Sequence, residues 1–240
     1  MTLAKSQTLS KLIKPRDFHA FNKIKMYSNP AHIPTGFLTL LCEGSNNPFS
    51  KNWSRRLRIG KKGHLFIGKG YNITLSGEKQ TLHDLYEAGV PKPKAQIFAK
   101  ASTLTGRNAA QFIDFYKKEI TISEKEEEKL FHSKYAKAEE GLRKMIEVCE
   151  ANGGHMNSYN LAAHQWQVLV DLIYSGDLNT ETEERLIQVL RKMIVESKPK
   201  ILNRLVHDLH YWRKNEVAED RIRMRCVFID DWQTITGNLS

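Results

Sequence analysis

Residues 161–174, Leu-Ala-Ala-His-Gln-Trp-Gln-Val-Leu-Val-Asp-Leu-Ile-Tyr, constrain the fold more than any other stretch of the chain. A helix drawn through them is apolar almost all the way round, with Leu161, Ala162, Ala163, Trp166, Val168, Leu169, Val170, Leu172 and Ile173. A helix without a polar face must be enclosed by other elements. The chain therefore has to build a helical lobe around it. Ser175-Gly176 ends this helix. Partners are available on both sides. Ser123-Glu124-Lys125-Glu126 is a capping box that opens a long helix through Leu130, Phe131, Tyr135, Ala138, Leu142, Ile146 and Cys149. The acidic run at 124–128 falls in its first turns, where the helix dipole favours negative charge, and receives no functional role. Asn152-Gly153-Gly154 breaks the chain, and further helices are predicted over 181–197, 200–212 and 217–232.

The first half reads differently. Pro30 and Pro34 open a short helix whose Ile33, Phe37, Leu38, Leu40 and Leu41 recur at helical spacing. Glu43 ends it and Gly44 breaks it. A carboxylate beside apolar side chains is partly desolvated, which raises its pKa and suits a general acid. A solvated glutamate at a helix end is the alternative. Residues 45–62 are basic, with Lys51, Arg55, Arg56, Arg58, Lys61 and Lys62 around Trp53. That ring would stack on a base in a nucleic-acid binder or on a pyranose in a sugar binder, or else plug the core. Residues 63–74 carry Leu65 and Ile67 in alternation, then Gly68 and Gly70, the pattern of a β-hairpin with close backbone approach at the glycines. Helices follow over 75–90, 95–101 and 107–116. The expected fold is α+β, mostly helical, with a small β-hairpin subdomain and a larger helical lobe. The expected layout is a basic tail at 1–29 and one domain at 30–240. Within that domain the hairpin lobe covers about 44–120, the inter-lobe helix about 123–150 and the helical lobe about 155–235.

With 10 Phe, 8 Tyr and 4 Trp among the 240 residues, a packed core is attainable and wholesale disorder is not expected. The net charge of +10 favours a polyanionic partner: nucleic acid, anionic lipid or an anionic cell-wall polymer. Cys42, Cys149 and Cys226 stand far apart without a C-x-x-C pair, so neither a zinc site nor a disulfide framework is expected, and no metal or other cofactor. No window is long and apolar enough to span a membrane, and the first residues do not form a signal peptide. Synthesis in the cytoplasm is expected. Action in the periplasm or on the cell wall would require delivery.

Four stretches, Leu-Leu-Cys-Glu-Gly at 40–44, Gly-His-Leu-Phe-Ile-Gly-Lys-Gly-Tyr-Asn-Ile-Thr at 63–74, the capping region at 120–131 and the segment at 164–176, occur in an order that resembles the phage-type lysozyme superfamily. Within it, they resemble the pesticin-like muramidases over residues 30–235. The resemblance implies a lysozyme-like fold. It implies cleavage of the β-1,4 bond between N-acetylmuramate and N-acetylglucosamine in peptidoglycan by two-carboxylate chemistry. Glu43 matches the family's general acid. The family's threonine falls on Phe66 and its aspartate on Asn72, and no Asp or Glu lies between Glu43 and Glu78. His64 and Tyr71, flanking the hairpin, and Trp53 are expected substrate contacts. Arg221 or Arg223 is expected to pair with Glu43. Three readings follow: a muramidase of altered mechanism in which Glu43 acts alone, a disabled glycan-binding module, or a basic polyanion binder such as a nucleic-acid binder. Expected partners are peptidoglycan and, by the first reading, a delivery or immunity protein.

Overall fold

The computed structural model describes residues 34–44, 46, 53–60, 63–116, 120–151, 161–176, 180–195 and 200–236. The tail at 1–29, the break at Asn152-Gly153-Gly154, and Pro30, Ile33, Lys51, Lys61 and Lys62 lie outside them. The fold is α+β and predominantly helical, with ten helices and one three-stranded antiparallel sheet among the described residues. The chain divides into two compact units. One is Glu43–Ala138. The other joins Met1–Cys42 to Glu139–Ser240.

The first unit is built on the sheet β1 (Arg58–Ile59), β2 (Leu65–Ile67) and β3 (Tyr71–Asn72), in that spatial order. Ile59 pairs with Leu65, Phe66 with both Arg58 and Asn72, and Ile67 with Tyr71. Residues directly opposite in a ladder share a face. Arg58, Phe66 and Asn72 therefore form one half-buried row, while Leu65, Ile67 and Tyr71 face inward. The core gathers Leu57, Leu65, Ile67, Ile73, Leu85, Phe98, Ile120, Ile122 and Leu130. Around it lie α2 (Ile73–Glu87), irregular at Gly77, then α3 (Lys92–Ala101) and α4 (Gly106–Phe115). Helix α5 (Glu124–Ala151) starts at the expected capping box. Ser123 N donates to Glu126 Oε2 at 2.7 Å, and Glu126 N donates to Ser123 Oγ at 3.3 Å. Its first turns belong to this unit and its later turns to the other.

The second unit encloses α6 (Ala163–Tyr174), as its all-round apolarity requires. Val168, Leu169, Val170 and Leu172 are fully buried. Helix α1 (Phe37–Cys42) packs on it through Gln167, whose Oε1 accepts from Leu38 N (3.3 Å) and whose Nε2 donates to Pro34 O (3.0 Å). Helices α7 (Thr180–Val195), α8 (Ile201–Val206), α9 (Leu209–Lys214) and α10 (Glu219–Thr236) complete the unit. The single helix expected over 200–212 is two. Asp208 stops α8 and caps α9, its Oδ1 accepting from Tyr211 N at 3.1 Å, a local bond that competes with helix continuation. At the centre, Asp171 is wholly buried. Its Oδ1 accepts from Arg221 Nη2 (2.9 Å), and its Oδ2 accepts from Arg221 Nε (3.2 Å) and Arg225 Nε (2.8 Å). No helix of the described residues is long and apolar enough to cross a membrane, and none of their side-chain groups is clustered to hold a metal ion.

His164, near the start of α6, is 6% exposed, and burial pushes its pKa down to about 4. An unfolded histidine titrates near 6.5. Between those values the unfolded chain binds a proton that the folded chain refuses, so stability is lost as pH falls through this window. Lowering the pH from 7 to 4.5 should remove roughly 2–3 kcal/mol through this group alone. Melting temperatures recorded against pH should show that slope in the wild type. His164→Gln should flatten it; an unchanged slope would assign the effect elsewhere.

Candidate functional site

The hairpin turns through Gly68-Lys69-Gly70, with Gly70 N donating to Gly68 O at 2.9 Å. Gly68 (φ 61°) and Gly70 (φ 79°) both occupy the left-handed region, which glycine enters without steric cost. Gly70 has a second reason to be glycine. A Cβ there would overlap the Glu43 carboxylate, so that carboxylate lies directly on the backbone of the hairpin tip. Glu43 itself is half-buried, one residue past the end of α1.

Three cations fix this tip. Arg58 Nη1 donates to Gly68 O (3.0 Å) and Ser54 O (3.1 Å). Lys134 Nζ, from α5, donates to Gly70 O at 2.6 Å. Lys69 Nζ donates to Asn46 Oδ1 (2.5 Å) and to the Glu43 carbonyl (3.3 Å). Lys69 is only 8% exposed, and burial pushes its pKa below the ordinary ammonium range. The nearby carboxylates of Glu127 and Glu43 oppose that shift, Glu127 more strongly, while Arg58 and Arg55 add to it.

Glu127 is the residue of this site that sequence reasoning missed. It is 7% exposed, and its Oε1 is buried without a hydrogen-bond partner. A Cβ placed on Gly68 would stand 3.8 Å from its Cγ. The acidic run as a whole suits the positive end of the helix dipole. Within that run, Glu124 and Glu128 are exposed and only Glu127 turns inward. The available signal was spacing: Glu127 precedes Leu130 and Phe131 by three and four residues and so shares their buried helix face.

Of the predicted site residues, the fold brings Phe66, Asn72 and His64 together. Phe66 lies over Gly60, where a Cβ would overlap its ring. Asn72 caps α2: its Oδ1 accepts from Leu75 N at 3.0 Å. That bond fixes the amide orientation, so Nδ2 is the atom 3.2 Å from His64 Nδ1. The imidazole accepts there and carries its proton on Nε2. Tyr71, an expected substrate contact, stands in the core, because the ladder places it opposite Ile67 on the inner face. It is 5% exposed and its hydroxyl donates to Asp84 Oδ2 at 2.8 Å. Burial raises its pKa well above the ordinary phenol value. Asp84 Oδ1 also accepts from Gln80 (2.7 Å) and Lys137 (2.9 Å). Burial alone would raise the Asp84 pKa, but Lys137, Tyr71 and Gln80 outweigh it and hold the carboxyl below its usual range.

Trp53 is half-buried with the guanidinium groups of Arg55 and Arg56 at 5.3 and 5.5 Å from its ring centroid. Both contacts are cation–π arrangements. Arg221 and Arg223 belong to the other unit. There Arg221 binds Asp171, and Arg223 Nη2 stands 4.0 Å from Glu219.

The close approach at Gly70 is testable by a matched pair. Gly70→Ala combines a positive φ, which costs about 1–2 kcal/mol for a residue with a Cβ, with displacement of Glu43. Gly106→Ala carries the backbone strain alone, since its φ is 53° and nothing lies within 4 Å of the added methyl. Denaturant melts should show the larger loss for Gly70→Ala. Equal losses would show that the Glu43 contact adds nothing.

The family model of a domain of unknown function (DUF8812) matches residues 36–226. No curated protein and no solved structure gives a significant match. The matched span holds Glu43, the hairpin, Glu127 and the Asp171 cluster, and the chain belongs to the DUF8812 family.

Proposed function

We propose that the protein is a peptidoglycan-directed, muramidase-like glycoside hydrolase with Glu43 as its general acid. The observation that carries this reading is the lodging of the Glu43 carboxylate on Gly70, where no side chain stands between it and the hairpin tip. A general acid must be held still and yet remain reachable. Backbone packing supplies the first condition and half-burial the second. The excess of cations suits an anionic wall polymer.

In the proposed reaction Glu43 donates its proton to the glycosidic oxygen as the bond from that oxygen to the anomeric carbon breaks. No aspartate or glutamate occurs between Glu43 and Glu78 to activate water. Asn72 has its oxygen committed to Leu75, and an amide cannot take a proton. Phe66 has no hydroxyl. Glu127 is enclosed beside Gly68 and balances the charge of Lys69 rather than meeting water. The substrate's own acetamido oxygen is then the group that stabilises the anomeric carbon. Glu43, now a carboxylate, takes the proton from water or from a sugar hydroxyl in the second step.

The cap role of Asn72 and the aromatic ring at Phe66 also favour a second reading, a module that holds a glycan strand without cutting it. Mass spectrometry of fragments released from purified peptidoglycan separates the two. Released muropeptides support hydrolysis if they carry reducing ends and lytic transglycosylation if they carry anhydro ends. Retention on insoluble peptidoglycan with no release selects the binding module. Failure of both, with salt-sensitive retention of oligonucleotides, would overturn the glycan reading. Such a substrate lies outside the cytoplasm, so the proposal also requires a route of delivery.

A further inference from the structure

The second unit holds a cleft of about 420 Å3 between α7 and α8. Each helix contributes one stripe at i, i+3, i+4 and i+7 spacing. On α7 the stripe runs from Arg185 through Val189 to Lys192. On α8 and the turn after it, the stripe holds Arg204, Leu205 and Asp208. Val189 and Leu205 are buried and form an apolar floor, with the charges around its edge.

The charges are unbalanced. Asp208 is the only acid among the described residues of the lining, and both its oxygens are engaged: Oδ2 with Arg185 Nη2 at 2.5 Å, Oδ1 with the backbone of α9. Arg185 is held in place by that bond and by the Tyr211 ring, 4.0 Å from centroid to guanidinium carbon. Tyr211 is itself buried and tied to Thr182 by a 2.6 Å hydrogen bond. One arginine fork is therefore preorganised, with donors left over. Lys192 and Arg204 are exposed and have no acidic partner among the described residues. Among the described lining residues, three cations less one carboxylate leave two positive charges in excess.

We infer that this cleft binds a small phosphate monoester with an apolar or ring-shaped body. The apolar floor takes the body. A phosphate monoester carries about −1.5 to −2 at neutral pH, which matches the excess, and an arginine fork suits its oxygens. A cleft of this volume lies within the usual range for small-molecule sites. The inference does not rest on the glycan-cleaving reading, because no residue is shared with the Glu43 site.

The test is titration calorimetry on the full chain with naphthyl phosphate, inorganic phosphate and naphthol as probes. Saturable binding of naphthyl phosphate is expected, with each half-probe weaker by at least about tenfold. Lys192→Gln combined with Arg204→Gln should weaken naphthyl phosphate by about tenfold or more, the usual loss when charged hydrogen bonds are removed. Both positions are exposed, so the double variant should melt with the wild type. Glu43→Gln should bind the probe like the wild type whether or not peptidoglycan is cut. No saturable binding of naphthyl phosphate, or equal affinity in the double variant, overturns the inference.

Discussion

Glu43→Gln should lower muropeptide release from purified peptidoglycan by about 10²–10⁴-fold, the usual contribution of a general acid. Glutamine has nearly the same shape as glutamate, so it can occupy the place on Gly70 that the carboxylate fills. What it lacks is a transferable proton. The fold should tolerate the change. The charge removed is half-buried, and Lys69 retains Glu127 as its stronger acidic neighbour. Thermal melts should therefore move little while the count of released fragments collapses. Asn72→Asp is the complementary variant. Aspartate caps a helix as well as asparagine does, so it adds a carboxylate at the position that corresponds, by the resemblance to pesticin-like muramidases, to an aspartate, without unseating α2. A wild type that releases fragments and a Glu43→Gln variant that does not would support the acid role. A silent wild type with an active Asn72→Asp would identify a glycan-holding protein one residue short of hydrolysis. Equal release by wild type and Glu43→Gln would end the proposal for Glu43.

The parts of this structure that were legible in the sequence are those decided locally. An all-apolar helix can only be central, and α6 is. A capping box is a reciprocal pair of local bonds, and α5 starts at one. Glycines within an alternating apolar run mark a hairpin tip, and Gly68 and Gly70 form it. What was not legible depends on which surfaces meet in space. Glu127 looks like its neighbours in a charged first turn, and only the arrival of Gly68 and Lys69 against that turn makes it a buried carboxylate. Tyr71 looks like a flanking aromatic until strand register places it opposite Ile67. Asp208 has the side chain of an N-cap, yet the apolar spacing around it continues, so one helix was expected where there are two. Asp171 was the clearest missed signal. A lone carboxylate in the middle of an enclosed helix must be paired, and Arg221 and Arg225, four residues apart on one face of α10, are the pair that meets it.

That cluster gives the largest stability effect expected in this protein. Asp171 has no exposed surface, Arg225 is 2% exposed, and the Arg221 side chain is 13% exposed. Asp171→Asn keeps the shape but removes the carboxylate that both guanidinium groups bind. Breaking a buried ion cluster in this way costs about 3–5 kcal/mol. Urea unfolding at neutral pH should show it as a lower midpoint with an unchanged slope. The same cluster acts at low pH. Burial alone would raise the Asp171 pKa, but the charges and hydrogen bonds of Arg221 and Arg225 outweigh it and hold the carboxyl well below its ordinary range. A group with a depressed folded pKa contributes stability that is complete above its unfolded value, about 3.9, and is lost as the pH falls below that. The wild type should therefore keep losing stability below pH 4, after His164 has finished its own contribution, and Asp171→Asn should lack that lower limb. Replacing all three charges by apolar residues of similar volume separates packing from charge. If the cluster stabilises only by mutual compensation, the triple variant should recover most of what Asp171→Asn loses, because no unpaired ion remains. A triple variant as unstable as the single one would instead show that the hydrogen-bond geometry around Asp171, including the Arg225 bonds to Asp171 O and Ser175 Oγ, holds α6 to α10.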